Sequence, residues 1–420
     1  MKKAFWIAIF LPFFMAAQPV RKKVSALFIG NSYTYVNNLP LLVSNLALAN
    51  GDTLVYDDNT PGGYTFGNHF TNSVTNTKIN AKAWDYVILQ AQSQEPSFSP
   101  SQVYSQTLPY AIKLDSIIKH NNSCTNTVFY ETWGRKNGDA SNCAVYPPVC
   151  TYLGMQNRLR QSYKKFADTC SAVMSPVGEA FKRSIALNPS LELYQGDESH
   201  PSLEGSYLAA CVFYEVLFQK SVLSNTFIAS VNSATATFLQ QVAHAVVTDS
   251  LAVWNLGIHQ PWADFSYNWV AGLNYNFVTN SLFFTNVWRF GDGGTSLVPT
   301  TNHFYPANGT YTVTHIVSNN CKTDSILKEV VINSTGIQTN NVNAAVSIYP
   351  NPARTNLFIT GADNFENSNS RVEIKNNIGQ TIYEAPFSKL INIKNLINGV
   401  YNLKIYNDIS TLKFQFIKSD

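Results

Sequence analysis

Leu27-Phe28-Ile29-Gly30-Asn31-Ser32-Tyr33-Thr34 joins a short apolar run to a turn and sets a serine directly behind it. The run Val24 to Ile29 has the near-continuous apolar text of a strand buried on both faces of a parallel sheet. Gly30 ends it, Asn31 tolerates turn geometry, and Leu41 to Ala49 reads as the helix that follows Leu39-Pro40. Such a strand–turn–helix unit exposes its turn residue at the carboxyl edge of the sheet, where ligands bind in open α/β folds. Ser32 is therefore a candidate nucleophile. The alternative is that Asn31 and Ser32 only cap the next helix.

Working outward, strand text recurs at Thr53 to Tyr56, Tyr86 to Leu89, Thr127 to Tyr130 and Ala172 to Met174. Helical text lies between, including Val103 to Lys119 and Gln156 to Asp168. Strands alternating with helices predict an α/β fold: a parallel sheet with helices on both faces.

A second stretch, Gly196-Asp197-Glu198-Ser199-His200-Pro201, supplies what a serine nucleophile lacks. A hydroxyl is a poor nucleophile at neutral pH and needs a base, and the base needs a partner that holds its tautomer. Asp197 and His200 share one short loop, so the carboxylate can reach one imidazole nitrogen while the other points away. Pro201 restrains the backbone of His200, and Ser202 is a good start for the helix Leu203 to Phe218. Alone, Asp-x-x-His is equally the text of a solvated loop.

Together, Gly30-Asn31-Ser32 and Asp197-x-x-His200-Pro201 resemble the first and fifth conserved blocks of the SGNH (GDSL-like) hydrolase superfamily, with Gly-Asn-Ser where Gly-Asp-Ser is usual. The resemblance spans roughly residues 24 to 220. It is nearest to a bacterial branch carrying Thr60-Pro61-Gly62-Gly63, Leu89-Gln90-Ala91-Gln92-Ser93-Gln94 and Thr132-Trp133-Gly134-Arg135. It implies a flavodoxin-like parallel sheet and a Ser32–His200–Asp197 catalytic triad.

It also implies an oxyanion hole made by the Ser32 N–H, the Gly63 N–H and a side-chain amide. Such donors supply several kcal/mol of transition-state stabilisation. Where most of the superfamily has asparagine in Gly-x-Asn-Asp, strand alignment puts Gln94, with Gln92 at the glycine. Glutamine is one methylene longer, so either Gln94 or Gln92 is open as the donor. Gln90, Gln92 and Gln94 alternatively line the rim or bind substrate hydroxyls. Asn31 and Gly62 join the substrate-binding candidates. Trp133 is a candidate to stack on a sugar ring and Arg135 to hold a carboxylate, against a packed tryptophan and a solvent-facing arginine. Among the other histidines, His69 alone lies near a site loop.

The composition of the 420 residues is 45% apolar and aromatic, ample for a core, and only 13% charged. A net charge of +3 is too small to imply nucleic acid or an anionic surface. Met1-Lys2-Lys3 and the apolar run Ala4 to Ala17 read as a signal peptide cleaved near Ala16, Ala17 or Gln18. The run is shorter than the ~20 residues of a membrane span. An exported chain meets an oxidising compartment, where Cys143 and Cys150, flanking a short loop, are the first choice for a disulfide. Cys124, Cys170, Cys211 and Cys321 are harder to pair, with Cys211, on the apolar side of its helix, read as a buried thiol. No Cys-x-x-Cys or zinc spacing is present, so neither a metal nor another cofactor is expected.

Ser233 to Val253 is helical text that closes the first domain, taken as 18–260 after a leader of 1–17. From Ala263 the text turns β-like. Trp288-Arg289-Phe290-Gly291-Asp292-Gly293, His303-Phe304-Tyr305 and Gly309-Thr310-Tyr311-Thr312-Val313 resemble a PKD-type β-sandwich, placed at 261–333. Its Asp292 turn can be read as a calcium loop but is more simply a turn. A polar linker, 334–345, leads to 346–420. There Ser347-Ile348-Tyr349-Pro350-Asn351-Pro352-Ala353, Asn377-Ile378-Gly379-Gln380 and Asn398-Gly399-Val400-Tyr401 resemble the C-terminal sorting domain of type IX secretion in Bacteroidetes-type bacteria. That implies the type IX machinery as partner and a secreted or surface-attached protein, with no nucleic-acid partner and no stable membrane span.

The expectation is a secreted serine esterase acting on an acylated carbohydrate or other small ester. The alternatives are a lipase-like enzyme, marked by a broad apolar cleft, and an inactive surface adhesin, marked by the altered oxyanion block.

Overall fold

The computed structural model describes residues 21–279, 281–334 and 346–418, the last apart from 350–352, 361, 363–364, 366–368, 377–379 and 408–410. The expected leader and nearly all of the linker lie outside the described residues, as do most of Tyr349-Pro350-Asn351-Pro352 and Asn377-Ile378-Gly379.

Five strands, β1 (Lys23–Ile29), β2 (Thr53–Asn59), β3 (Tyr86–Leu89), β4 (Asn126–Tyr130) and β5 (Val173–Ser175), form one parallel sheet in the order β2-β1-β3-β4-β5. This is the flavodoxin-like arrangement. The chain leaves β1 for β2 on one side and later returns to pair β3 on the other, so a crevice opens beyond the ends of β1 and β3. Ala26, Leu27, Phe28 and Ile29 are all buried, as a strand covered on both faces must be. β2 runs three residues further than expected, because Asp57, Asp58 and Asn59 keep the pairing with Leu27, Phe28 and Ile29 despite their polar text.

The helices are α1 (Ser32–Tyr35), α2 (Leu39–Ala49), α3 (Phe66–Thr71), α4 (Ser73–Asn80), α5 (Pro100–Gln102), α6 (Leu108–Asn121), α7 (Tyr152–Thr169), α8 (Val177–Leu187), α9 (Leu203–Phe218) and α10 (Ser233–Thr248). The helix expected over Val103 to Lys119 is two pieces, with a π-turn at Val103–Thr107 before α6. Pro109 has no N–H for the preceding turn, which widens instead of continuing. The helix expected to reach Val253 ends at Thr248, and a separate 3₁₀ turn follows at Leu251–Trp254. The helix expected from Gln156 begins earlier, at Tyr152, because the Thr151 side chain accepts the N–H of Gly154.

The later chain builds two antiparallel sandwiches. In the first, β6 (Phe265–Ala271), β7 (Asn274–Thr279), β8 (Thr285–Arg289), β9 (Thr295–Ser296), β10 (Thr300–Phe304), β11 (Gly309–Ser318) and β12 (Thr323–Ile332) form sheets β10-β7-β6 and β12-β11-β8-β9, which enclose Phe277, Trp288, Phe290 and Tyr305. In the second, β13 (Ser347–Tyr349), β14 (Asn356–Thr360), β15 (Arg371–Asn376), β16 (Thr381–Pro386), β17 (Leu390–Asn392), β18 (Gly399–Tyr406) and β19 (Thr411–Lys418) form sheets β13-β14-β17 and β16-β15-β18-β19 around Leu357, Ile374, Leu403 and Phe416.

The first sandwich is fastened to the amino edge of the parallel sheet. Cys124, just before β4, is disulfide-bonded to Cys321. Lys22, just before β1, pairs with the buried Asp324 at 2.7 Å. The Lys322 ammonium lies 3.6 Å from the ring centre of Tyr86, at the start of β3. The pairing of Cys143 with Cys150 is present, Cys211 is a buried free thiol, and Cys170 is also free. Among the described residues no helix is long and apolar enough to cross a membrane.

Candidate active site

Gly30 ends β1 because nothing larger fits. A Cβ there would stand 2.6 Å from both Gln90 Oε1 and Thr34 Oγ1. Asn31 then caps α1, its side-chain oxygen accepting the N–H of Tyr33 at 3.2 Å. Ser32 opens α1, so its N–H is a first-turn donor that no helical carbonyl can reach.

The loop between Leu193 and Ser202 is folded back on itself. The Gln195 N–H donates to the His200 carbonyl at 2.8 Å, and the Ser202 N–H to the Leu193 carbonyl at 2.9 Å. Ser202 caps α9 through the Gly205 N–H at 3.1 Å. Within this loop Asp197 Oδ1 accepts the N–H groups of Ser199 (3.1 Å) and His200 (2.9 Å), while Oδ2 bonds His200 Nδ1. His200 Nε2 lies 2.8 Å from Ser32 Oγ, across 168 positions of chain. Partial burial pushes the Asp197 carboxyl up, but the bonds from the His200 ring, the His200 N–H and the Ser199 N–H outweigh it and hold the group down at about 2. A carboxylate on Nδ1 fixes the proton there and leaves Nε2 as the acceptor facing Ser32.

Two loops are held together by more than the triad. Asn37, at φ +56°, sends its side-chain N–H groups to the carbonyls of Pro201 (3.3 Å) and Ser202 (3.0 Å) and to Ser206 Oγ (2.9 Å). The Tyr33 hydroxyl is 2.6 Å from Ser199 Oγ, and its ring meets the His200 ring edge-on with centroids 5.5 Å apart. Asn37, Tyr33 and Ser199 carry no chemical signature in sequence. Only their neighbourhood shows their part.

Several expected substrate contacts turn out to be structural. Trp133 is fully buried, stacked on Tyr33 at 4.7 Å and on Phe181 at 4.2 Å, with its indole N–H given to the Ser199 carbonyl at 3.0 Å. Its ring is closed to a sugar, because both faces are already covered. Gln90 is fully buried. Its Oε1 accepts the Asn31 N–H (2.8 Å) and the Thr34 hydroxyl (3.0 Å), and its Nε2 bonds Asn31 Oδ1 (2.9 Å). Gln90 shapes the serine turn and does not line the rim. Asn31 spends its Nδ2 on the carbonyls of Tyr64 (3.0 Å) and Ala91 (3.3 Å), so it too ties the loops together rather than meeting a ligand. Gln92 turns back on its own loop: its Oε1 accepts the N–H groups of Gln94 (2.7 Å) and Glu95 (3.1 Å).

The rest keep some exposure: Gly62 and Gly63 are exposed, Gln94 and Arg135 partly so. Gly63, at φ +72°, has open space where a Cβ would be; a Cβ on Gly62 beside it would lie 3.8 Å from the Tyr35 hydroxyl oxygen. Gln94 gives Nε2 to Asp139 Oδ2 at 2.8 Å. Arg135 is partly exposed, pairs with Asp139 Oδ1 at 3.6 Å and keeps a buried Nε without a hydrogen-bond partner. His69, given little weight in the sequence, bonds the Gly30 carbonyl through Nε2 (2.8 Å) and Thr75 through Nδ1 (2.9 Å). Behind β4 the buried Glu131 accepts Gln156 Nε2 at 2.9 Å. Burial first, then the nearby Glu179, push its carboxyl far up. Among the described residues no group of three or more His, Cys, Asp or Glu is placed to hold a metal.

Residues 279–333 match the family model of the PKD domain, and residues 347–419 that of the secretion system C-terminal sorting domain. No curated protein matches the chain significantly. Similar solved structures include a DUF4886 family protein from Bacteroides uniformis, 20% identical over 54% of this chain and 96% of that one, with a TM-score of 0.48. A candidate SGNH hydrolase from Slackia heliotrinireducens is 26% identical over 46% and 98%, with a TM-score of 0.39. A catalytic mutant of an acetylxylan esterase from Geobacillus stearothermophilus is 14% identical over 48% and 96%, with a TM-score of 0.34. The chain thus joins a flavodoxin-like α/β unit, with serine, histidine and aspartate aligned at its carboxyl edge, to a PKD domain and a secretion-system sorting domain.

Proposed function

We propose that the protein is a secreted serine esterase in which Ser32 is the nucleophile, His200 the general base and acid, and Asp197 the residue that orients and stabilises the imidazolium. The observation that carries this is the unbroken line Ser32 Oγ, His200 Nε2, His200 Nδ1, Asp197 Oδ2. His200 takes the hydroxyl proton as Ser32 Oγ attacks the ester carbonyl, and returns it to the departing alkoxide. Water then enters by the same route, giving up its proton to His200 as it attacks the acyl-serine, and Ser32 recovers its proton when the acid leaves. The N–H groups of Ser32 and Gly63 and the amide of Gln94 serve the oxyanion in this reading.

The substrate we infer is a short acyl ester of a carbohydrate. A cavity of about 230 Å³ next to α1, the helix that Ser32 opens, is lined by Thr34, Tyr35, Asn38, Pro40, Asp58 and Thr60, nearly all able to donate to or accept from hydroxyls. It is small and polar, which favours a sugar alcohol over a long acyl chain. Arg135 is the residue we assign to a polar or anionic substituent; Trp133 has no part in binding. The sorting domain supports delivery by the type IX pathway to the cell surface or medium.

Purified protein assayed on p-nitrophenyl acetate beside Ser32→Ala tests the reading. Hydrolysis by the wild type and a loss of at least ~10³-fold in the variant are expected; equal rates would leave a surface-binding protein without hydrolase activity.

A further inference from the structure

Asp139 is fully buried, in a loop that no catalytic motif marks. Its Oδ2 accepts Gln94 Nε2 at 2.8 Å and Asn142 Nδ2 at 2.7 Å. Its Oδ1 accepts the Ser141 N–H at 3.2 Å and faces Arg135 at 3.6 Å. On its other side the Gln94 amide oxygen receives Gln92 Nε2 at 3.3 Å, and the Gln94 N–H is held by Gln92 Oε1 at 2.7 Å. The glutamine is therefore clamped at its backbone and at both ends of its amide.

The loop that carries Asp139 is itself fastened. The Asp139 N–H donates to the Val149 carbonyl at 2.7 Å, and the Cys143–Cys150 disulfide closes the segment between them. At Gly138, φ +80°, the two sides of the loop come so close that a Cβ would lie 2.6 Å from the Val149 oxygen.

An asparagine at this place needs little help to aim its amide. A glutamine adds one rotatable bond, and an amide can present either its oxygen or its nitrogen. Asp139 already accepts from Ser141 and Asn142 and faces the Arg135 guanidinium, so it acts as an acceptor and draws the NH₂ end of Gln94 toward it. One N–H goes to Asp139 and the second stays available. We propose that Asp139, held by the disulfide-closed loop, is the positioning residue that makes Gln94 an oxyanion donor and compensates for its extra methylene. The proposal rests on the esterase reading and names the device that sets the hole.

A double-mutant cycle on p-nitrophenyl acetate tests it: wild type, Gln94→Ala, Asp139→Ala and the double variant, with thermal melts to verify folding. Removing an oxyanion donor lowers kcat by about 10²–10³-fold, and that is expected for Gln94→Ala. Asp139→Ala should lower kcat at least ~10-fold with KM changed less than about twofold. The double variant should be no slower than Gln94→Ala, because Asp139 acts only through that amide. If Asp139→Ala does not fold, Asp139→Asn keeps the volume and takes its place in the cycle. Losses that multiply in the double variant, an unchanged kcat in either single variant, or a loss confined to KM would overturn the proposal while leaving the Ser32 result standing. A wild type without Ser32-dependent hydrolysis would remove both.

Discussion

The indole N–H of Trp133 donates to the backbone carbonyl of Ser199 at 3.0 Å, one residue before the candidate base His200. A tryptophan that text alone offers as a sugar platform is thereby a brace for the catalytic loop. Its two stacking partners, Tyr33 and Phe181, join the serine turn to α8 through the same ring.

Trp133→Phe should keep most of the stack but strand the Ser199 carbonyl, at a cost of about 1–3 kcal/mol. Kinetics should show kcat falling several-fold with KM for an acetylated sugar unchanged. A selective rise in KM would restore a binding role for the ring.

Asn37 should matter in a similar way. Asn37→Gly keeps the left-handed backbone open to it but deletes the bonds to Pro201, Ser202 and Ser206. The expected result is a stability loss of roughly 1–2 kcal/mol together with a larger drop in kcat than in KM, read from melts and initial rates.

His69 gives a pH signature. Burial lowers its imidazole to about 4 from the ordinary 6.5, and the bond to the Gly30 carbonyl offsets only part of that. The unfolded chain therefore binds this proton more readily than the folded one between those values. Stability should fall as pH drops from 6.5 through 4, by a loss approaching roughly 3 kcal/mol. Glu95, raised by burial to about 7, works in the opposite sense as pH rises from 4.5. Denaturant melts of wild type and His69→Gln across pH 4–7 isolate the histidine term: the difference between the two should shrink or reverse as the pH is lowered. A parallel pair of curves would refute it.

The Cys124–Cys321 bond joins positions 197 residues apart. In the chain-entropy model a loop of that size is worth about 5 kcal/mol. Cys124→Ser with Cys321→Ser should lower the melting temperature and split calorimetric unfolding into separate transitions, since non-covalent contacts such as Lys22–Asp324, Lys322–Tyr86 and Lys322 to the Asp85 carbonyl would then join the two units. A single unshifted transition would show that those contacts suffice.

Much of this architecture was legible in sequence because it rests on local or repeating physics. Apolar runs such as Val24 to Ile29 have only one economical place, inside a parallel sheet. A serine after the first strand and an Asp-x-x-His just before α9 announce their chemistry by residue type. The β-text after Ala263 announces sandwiches by alternation. The helix boundaries near Pro109 and Thr248 depart from the apolar periodicity because caps and proline effects compete with it over a single turn. What the tertiary structure alone decided is which polar side chains face a ligand and which face each other. Gln90, Asn31 and Trp133 look like binding residues in isolation, yet burial obliges each to satisfy its polar groups within the protein. Asp139 and Asn37 look like ordinary loop residues, yet the fold brings them against Gln94 and the His200 loop. Cys124 meets Cys321 only through the docking of two units, a contact no spacing in the chain encodes.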